Sequence, residues 1–100
     1  MEIKKDINYS PNIESAVLGL CTLVAGSYGR VYGVLEKNYF YSTGNQIVFE
    51  TMSEMFKNGI PIDLFTLIDQ IKRVKGITEL DGSPTDYFVS KLQSYVVNDT

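Results

Sequence analysis

The sequence has no histidine and only one cysteine, and both scarcities restrict the chemistry it can support. Without histidine, neither a Ser-His or Cys-His nucleophilic centre nor an imidazole metal site can be built. With Cys21 alone, the chain can form neither an internal disulfide nor a thiolate zinc cage, which favours a reducing compartment. No spacing of carboxylates indicates an acid–base pair. We therefore expect no catalytic residues, no metal site and no cofactor.

Long apolar runs and an excess of positive charge are also missing. No run approaches the roughly 20 residues of a membrane span, and the opening residues, Met1 to Asp6, lack the apolar stretch of a signal peptide. The formal net charge is -3 and the pI is about 4.8, which argues against sequence-independent binding to nucleic acid. We expect a domain that contacts neither a membrane nor, by itself, DNA.

What is present is the composition of one small globular domain. The chain has 100 residues, of which 44% are hydrophobic, enough for a single core. Helical spacing of apolar residues and short connections predict an all-α fold, a compact orthogonal bundle of about five to six short helices. We expect an N-terminal arm at residues 1–10 and the helical domain at residues 11–100.

The first helix follows Ser10-Pro11, a typical helix start. Its expected inner face is a stripe at helical spacing, widened by further apolar residues: Ile13, Ala16, Val17, Leu20 and Val24, with Leu18, Cys21 and Leu23. Gly19 costs about 1 kcal/mol in a helix relative to Ala. We expect another helix to approach closely at Leu18-Gly19, which we favour over a ligand-binding role.

Later helices are predicted from their end signals. Thr43 and Gln46 have the spacing of a capping box, followed by the inward positions Val48, Phe49, Met52, Met55 and Phe56. Gly59 is expected to end that helix in a left-handed conformation, and Asp63 to cap the next one, whose stripe is Leu64, Leu67, Ile68 and Ile71. After a turn near Leu80-Asp81-Gly82, Ser83-Pro84 is expected to start a last helix that buries Phe88, Leu92 and Tyr95.

The order of these landmarks resembles the N-terminal domain of DnaB-type replicative DNA helicases. An E-x-x-V-L-G helix, then F-Y, an I-F-like pair and G-x-P-I-D-x-x-T-L occur at family spacing between residues 14 and 67. The residues that carry the resemblance are Glu14, Leu18, Gly19, Phe40, Tyr41, Phe49, Gly59, Pro61, Ile62, Asp63, Thr66 and Leu67. The sequence departs from the family at Asn45-Gln46, where His-Arg is usual, and at Gly82, where the family has Gly-Gly.

The resemblance implies a collar domain that helps to hold a hexamer together and docks primase or a helicase loader in the bacterial cytoplasm. The ATP, Mg²⁺ and DNA sites of that family belong to a motor domain, and the 100 residues contain no G-x-x-x-x-G-K-[ST] phosphate loop. We expect an N-terminal fragment that is not itself an enzyme and is monomeric or weakly dimeric, the full-length protein being an ATP-dependent helicase.

Candidate interface residues come from the tyrosines and from a basic cluster. Seven tyrosines exceed what so small a core can bury, and surface tyrosines are favoured in protein interfaces; the alternative is scattered surface aromatics without a role. Lys72, Arg73 and Lys75 can meet an acidic partner or DNA, or simply complement a helix dipole. We name Tyr87, Tyr95, Lys72, Arg73 and Lys75 as interface candidates.

Two other functions remain open from the sequence. The chain can be a free-standing phage- or plasmid-type helical adaptor without a motor, or a small helical DNA-binding domain.

Overall fold

The computed structural model describes residues 11–97. Within them the chain is an all-α bundle, as predicted, and it also contains one short hairpin. The five α-helices are α1 (Pro11–Leu23), α2 (Ser27–Val31), α3 (Thr43–Lys57), α4 (Leu64–Asp69) and α5 (Thr85–Val97), with a 3-10 turn at Lys37–Tyr39 and a π-helical turn at Gln70–Val74 continuing α4. The predicted arm at residues 1–10 lies outside the described residues.

The centre of the bundle is α3. Its buried side chains include Val48, Met52 and Met55, which lie on one helical face because they repeat at three- and four-residue spacing. The other helices and the hairpin close around this face, and they contribute the core residues Leu18, Cys21, Tyr28, Leu67, Ile71, Leu80, Val89 and Leu92. Phe49 is also buried as predicted. Phe56 was predicted to point inward, and this is wrong: its side chain is 42% exposed and its ring lies beside those of Tyr28 and Tyr32.

Helices α1 and α5 form the most extensive helix pair, and Gly19 makes their approach possible. A Cβ atom at this position would lie 2.8 Å from the carbonyl carbon of Leu92, nearer still to its oxygen, and 3.0 Å from Cγ2 of Val96. These distances are shorter than van der Waals contact, so only glycine fits. The predicted close crossing at Gly19 is confirmed.

The predicted inner face of α1 is wrong in its orientation. Leu18 and Cys21 are buried, but their buried companions are the polar residues Glu14, Ser15 and Thr22. Thr22 accepts a hydrogen bond from Gln93 Nε2 at 2.9 Å and donates one to the Gly19 carbonyl at 2.7 Å. Because the polar groups find partners inside, the apolar stripe expected to be buried faces outward: Ile13, Leu20, Leu23 and Val24 are exposed.

The ends of α3 and α4 agree with the sequence except at one cap. Gly59 has φ +71° after α3, and Asp63 caps α4 in a capping box with Thr66, both as predicted. The cap at the start of α3 is Ser42, and the predicted Thr43–Gln46 box is wrong. Gln46 instead donates from Nε2 to the Phe40 carbonyl at 2.8 Å.

A two-stranded antiparallel hairpin precedes α5. Strands β1 (Glu79–Leu80) and β2 (Ser83–Pro84) pair across the predicted turn, so Ser83-Pro84 is strand and α5 begins at Thr85. The fully buried positions of α5 are Thr85, Val89 and Leu92, with Phe88 and Tyr95 half-buried. The prediction was correct for Leu92, and the predicted inner face of α5 lies about 60° around the helix from the observed one.

Candidate interaction surface

Glu14 ties α1 to the loop that leads into α3. Its side chain is only 3% exposed, yet its carboxylate accepts hydrogen bonds from the backbone N–H groups of Tyr41 at 2.8 Å and Ser42 at 3.4 Å. Asn45 Nδ2 donates a further bond to it at 2.9 Å. A buried carboxylate is stable when such donors satisfy its oxygens, and here they come from the start of another helix, so Glu14 has a structural role.

A second carboxylate reaches the same helix start from the hairpin turn. Asp81, whose φ of +50° belongs to the left-handed region, accepts bonds from Ser42 Oγ at 2.5 Å and from the Gly44 N–H at 2.8 Å. The unpaired N–H groups at the start of a helix favour nearby negative charge. A Cβ at Gly44 would lie 2.7 Å from the ring of Phe88 and 3.0 Å from the carboxylate of Asp81, so this approach needs glycine.

Two of the positions that depart from the pattern of the resembled family, Asn45 and Gln46, take part in this arrangement. Asn45 donates to Glu14, and Gln46 donates to the Phe40 carbonyl. Asn45 Oδ1 is buried and has no hydrogen-bond partner, so only the amide nitrogen of this side chain forms a hydrogen bond. Asn45 and Gln46 thus link the start of α3 to α1 and to the preceding loop, although the family usually has His-Arg at these positions.

The remaining motif residues shape the helix connections and the core. Leu18 and Leu67 are in the core, and the ring of buried Phe40 lies 4.9 Å from that of Phe49. Gly59, Pro61, Ile62, Asp63 and Thr66 form the α3–α4 connection, in which Thr66 donates from Oγ1 to the Pro61 carbonyl at 2.8 Å. The side chain of Tyr41 is 74% exposed.

The three basic interface candidates all have acidic partners within the domain. Lys72 Nζ lies 2.9 Å from Asp86 Oδ1, Arg73 Nη2 lies 2.8 Å from Asp69 Oδ2, and Lys75 Nζ lies 3.2 Å from Glu54 Oε1. Hydrogen bonds from Lys72 and Arg73 lower the pKa values of Asp86 and Asp69. The cluster therefore presents paired charges at the π-helical turn and its end.

The structure brings Lys72 and Arg73, but not Lys75, into one groove between α4 and α5. The groove has a volume of about 580 Å³ and is lined by Leu64, Phe65, Ile68, Asp69, Lys72, Arg73, Thr78, Asp86 and Ser90. Phe65 is 80% exposed, and the sequence analysis did not name it as an interface candidate. The signal was a phenylalanine that lies next to the apolar stripe containing Leu64 and Leu67 but is not part of it. Tyr87 is exposed on α5 with Lys91 Nζ 5.7 Å from its ring centroid, and Tyr95 is half-buried.

The pattern over almost the whole chain is that of one known family. The family model for the DnaB-like helicase N-terminal domain matches residues 6–98. The chain belongs to this family.

This membership confirms the resemblance and makes the chain a helicase N-terminal domain, linked to DNA replication. Searches of curated proteins and of solved structures found no match. The match extends beyond residues 14–67, where the motifs lie, so the family pattern also covers α5.

Among residues 11–97, no group of three or more metal-ligating side chains comes together. None of the described helices combines the length and the apolar character needed to cross a bilayer.

Proposed function

We propose that this domain is a non-catalytic docking module of a replicative helicase, which joins copies of the helicase and binds primase or a helicase loader. The observation that carries the proposal is the family match over residues 6–98. In support, large apolar side chains such as Phe65 lie outside the core, where they offer contact area to a protein partner. ATP and Mg²⁺ would act in a motor domain, and the setting would be the bacterial cytoplasm.

The groove between α4 and α5 is the surface that we assign to primase or the loader. Its lining includes the apolar side chains of Leu64, Phe65 and Ile68. It also includes Lys72 and Arg73, each paired with a carboxylate. Tyr87 and Tyr95 lie on α5, the helix that forms one wall. An apolar centre with a polar rim is the usual anatomy of a protein interface. Lys75 is the weakest of the candidates, because Thr51 and Glu54 hold its ammonium group against α3.

A titration with the primase encoded in the same genome tests the docking role. We expect calorimetry to detect binding to the wild-type domain, and the Phe65→Ser variant to bind at least about tenfold more weakly, because an exposed aromatic in the groove acts as an anchor. Val34→Ser is the matched control, since Val34 is also an exposed apolar residue but does not line the groove. Absence of binding by both primase and loader would contradict the proposal.

The sequence that follows Thr100 in the gene tests the link to a helicase. We expect a helical hairpin and then a phosphate-loop motif. A stop codon at that point would favour the adaptor instead. Tight, salt-sensitive binding of DNA in a gel-shift titration would favour the DNA-binding domain.

A further inference from the structure

An asparagine and a glycine follow one another at the end of α3, and both are exposed. Asn58 comes directly after the last residue of the helix, and Gly59 has φ +71°. A Cβ atom at Gly59 would meet nothing within 4 Å, so the space beside its backbone is open. Within residues 11–97 the side-chain amide of Asn58 forms no hydrogen bond, and its carbonyl carbon is therefore accessible to a neighbouring nitrogen.

The backbone nitrogen of Gly59 is the group next to that carbonyl carbon. Its N–H donates to the Phe56 carbonyl at 3.2 Å, which is the long end of the usual range. A ring between this nitrogen and the Asn58 side chain can close only after ψ of Asn58 leaves its value of 8°. The last turn of a helix frays at a small cost in free energy, so this end of α3 can open for the reaction.

The other asparagines of the described chain lack this combination. Asn45 is 2% exposed and donates to Glu14, which fixes its amide. Asn12 and Asn38 are exposed, but each is followed by a residue whose side chain hinders attack by its nitrogen. Glycine has no side chain and the greatest backbone freedom, so Asn58 is the asparagine best placed to react.

We propose that Asn58 is a site of spontaneous deamidation, in which water converts its amide to an acid through a cyclic imide. The Gly59 nitrogen gives its proton to hydroxide and forms a bond to Cγ of Asn58. The Cγ–Nδ2 bond breaks, and Nδ2 takes a proton from water and leaves as ammonia. Water then adds to the imide. Breaking the bond between Cγ and the ring nitrogen gives aspartate, and breaking the bond between the backbone carbonyl carbon and that nitrogen gives isoaspartate.

Either product changes the end of α3. A new carboxylate would lie at the negative end of the helix dipole and four residues after Glu54, and both positions are unfavourable for negative charge. In isoaspartate the main chain is also longer by one methylene, which displaces the Gly59 N–H from the Phe56 carbonyl. We therefore expect both products to melt at a lower temperature than the parent chain.

Peptide mapping by mass spectrometry tests the site on the 100-residue chain kept in mildly alkaline buffer. We expect Asn58 to deamidate at least about tenfold faster than Asn38, because only Asn58 precedes a glycine. The rate in the folded chain should be within about tenfold of the rate in the same chain unfolded in urea, because a helix end opens at little cost. Enzymatic methylation of isoaspartate should label part of the product.

Asn58→Gln is the matched variant, because it keeps the amide but requires a larger ring to form. It should accumulate no acidic product at this position over the same period, and circular dichroism should show the same helix content as in the parent chain. An Asn58 that stays intact in the folded chain while it reacts in urea would overturn the proposal, as would an Asn38 that reacts equally fast. The reaction needs no protein partner, so its outcome is independent of the docking role.

Discussion

Gly19 lets the backbone of α5 lie directly against α1. We predict that Gly19→Ala destabilises the domain by about 1–3 kcal/mol, because the new methyl group would overlap the Leu92 carbonyl. The larger Gly19→Leu should cost at least as much. The loss occurs although alanine favours a helix by about 1 kcal/mol. Thermal or urea unfolding measures the change.

Gly29→Ala is the control for Gly19. A Cβ at Gly29, in α2, would lie 3.6 Å from the Phe56 ring, which is ordinary contact. This variant should be neutral or slightly more stable, because it gains helix propensity without overlap. Equal melting temperatures of the two variants would contradict the close crossing.

The buried carboxylate of Glu14 also contributes to the stability of the domain. We predict that Glu14→Gln lowers the free energy of unfolding by about 1–3 kcal/mol, because the amide nitrogen turns one acceptor into a donor among the N–H groups of Tyr41, Ser42 and Asn45. Chemical denaturation measures the loss.

Glu50→Gln provides the comparison for Glu14. Glu50 forms an exposed ion pair with Lys37 at 3.6 Å, and such pairs contribute about 0–1 kcal/mol. A loss for Glu50→Gln as large as that for Glu14→Gln would mean that the burial of Glu14 has no special effect.

The start of α3 shows how a helix end is fixed by more than its own sequence. Ser42 accepts from the Asn45 N–H at 3.0 Å and donates to Asp81. We predict that Ser42→Ala destabilises the domain by about 1 kcal/mol, whereas Thr43→Ala, at the neighbouring position that the spacing had favoured, changes stability by less than about 0.5 kcal/mol. Equal losses measured by thermal unfolding would contradict the assignment of the cap to Ser42.

Helix ends and helix faces differed in how far they could be predicted. The Gly59 stop and the Asp63 cap are local, since each depends on residues within four positions, and both were predicted correctly. The inner face of α1 was wrong because it depends on distant donors: Glu14 and Thr22 turn inward to meet Asn45 and Gln93. A hydrophobic pattern treats polar residues as outward-facing, so it could not show this.

Cys21 reports on the stability of the whole domain. Burial raises the pKa of its thiol to about 11. The folded state therefore holds the thiol proton more tightly than the unfolded state does. The free energy of unfolding is unaffected by this group below about pH 8.5 and decreases as the pH rises from there towards 11. We predict that at pH 8 Cys21 reacts with a disulfide reagent such as DTNB only through unfolding.

Measured at increasing urea concentrations, the reaction of Cys21 should follow the unfolding transition. Rapid reaction in the absence of urea would contradict the burial. The positive control is Leu20→Cys, which places a second cysteine at a position that is 43% exposed.

The family was accessible from the sequence, but the groove between α4 and α5 was not. Ordered motifs from Glu14 to Leu67 pointed to the correct family because each marks a helix start, a stop or a core contact. The α4–α5 groove depends on how the helices pack together, so a residue such as Phe65 could be assigned to its lining only with the fold. The roles of Tyr87, Tyr95 and Lys72 stay predictions.

The double attachment of α1 has a mechanical consequence. Helix α1 packs closely against α5 at Gly19 and is hydrogen-bonded to the start of α3 through Glu14. A force applied to α1 is therefore transmitted to two other helices. Detaching α1 from the domain would therefore require both attachments to break.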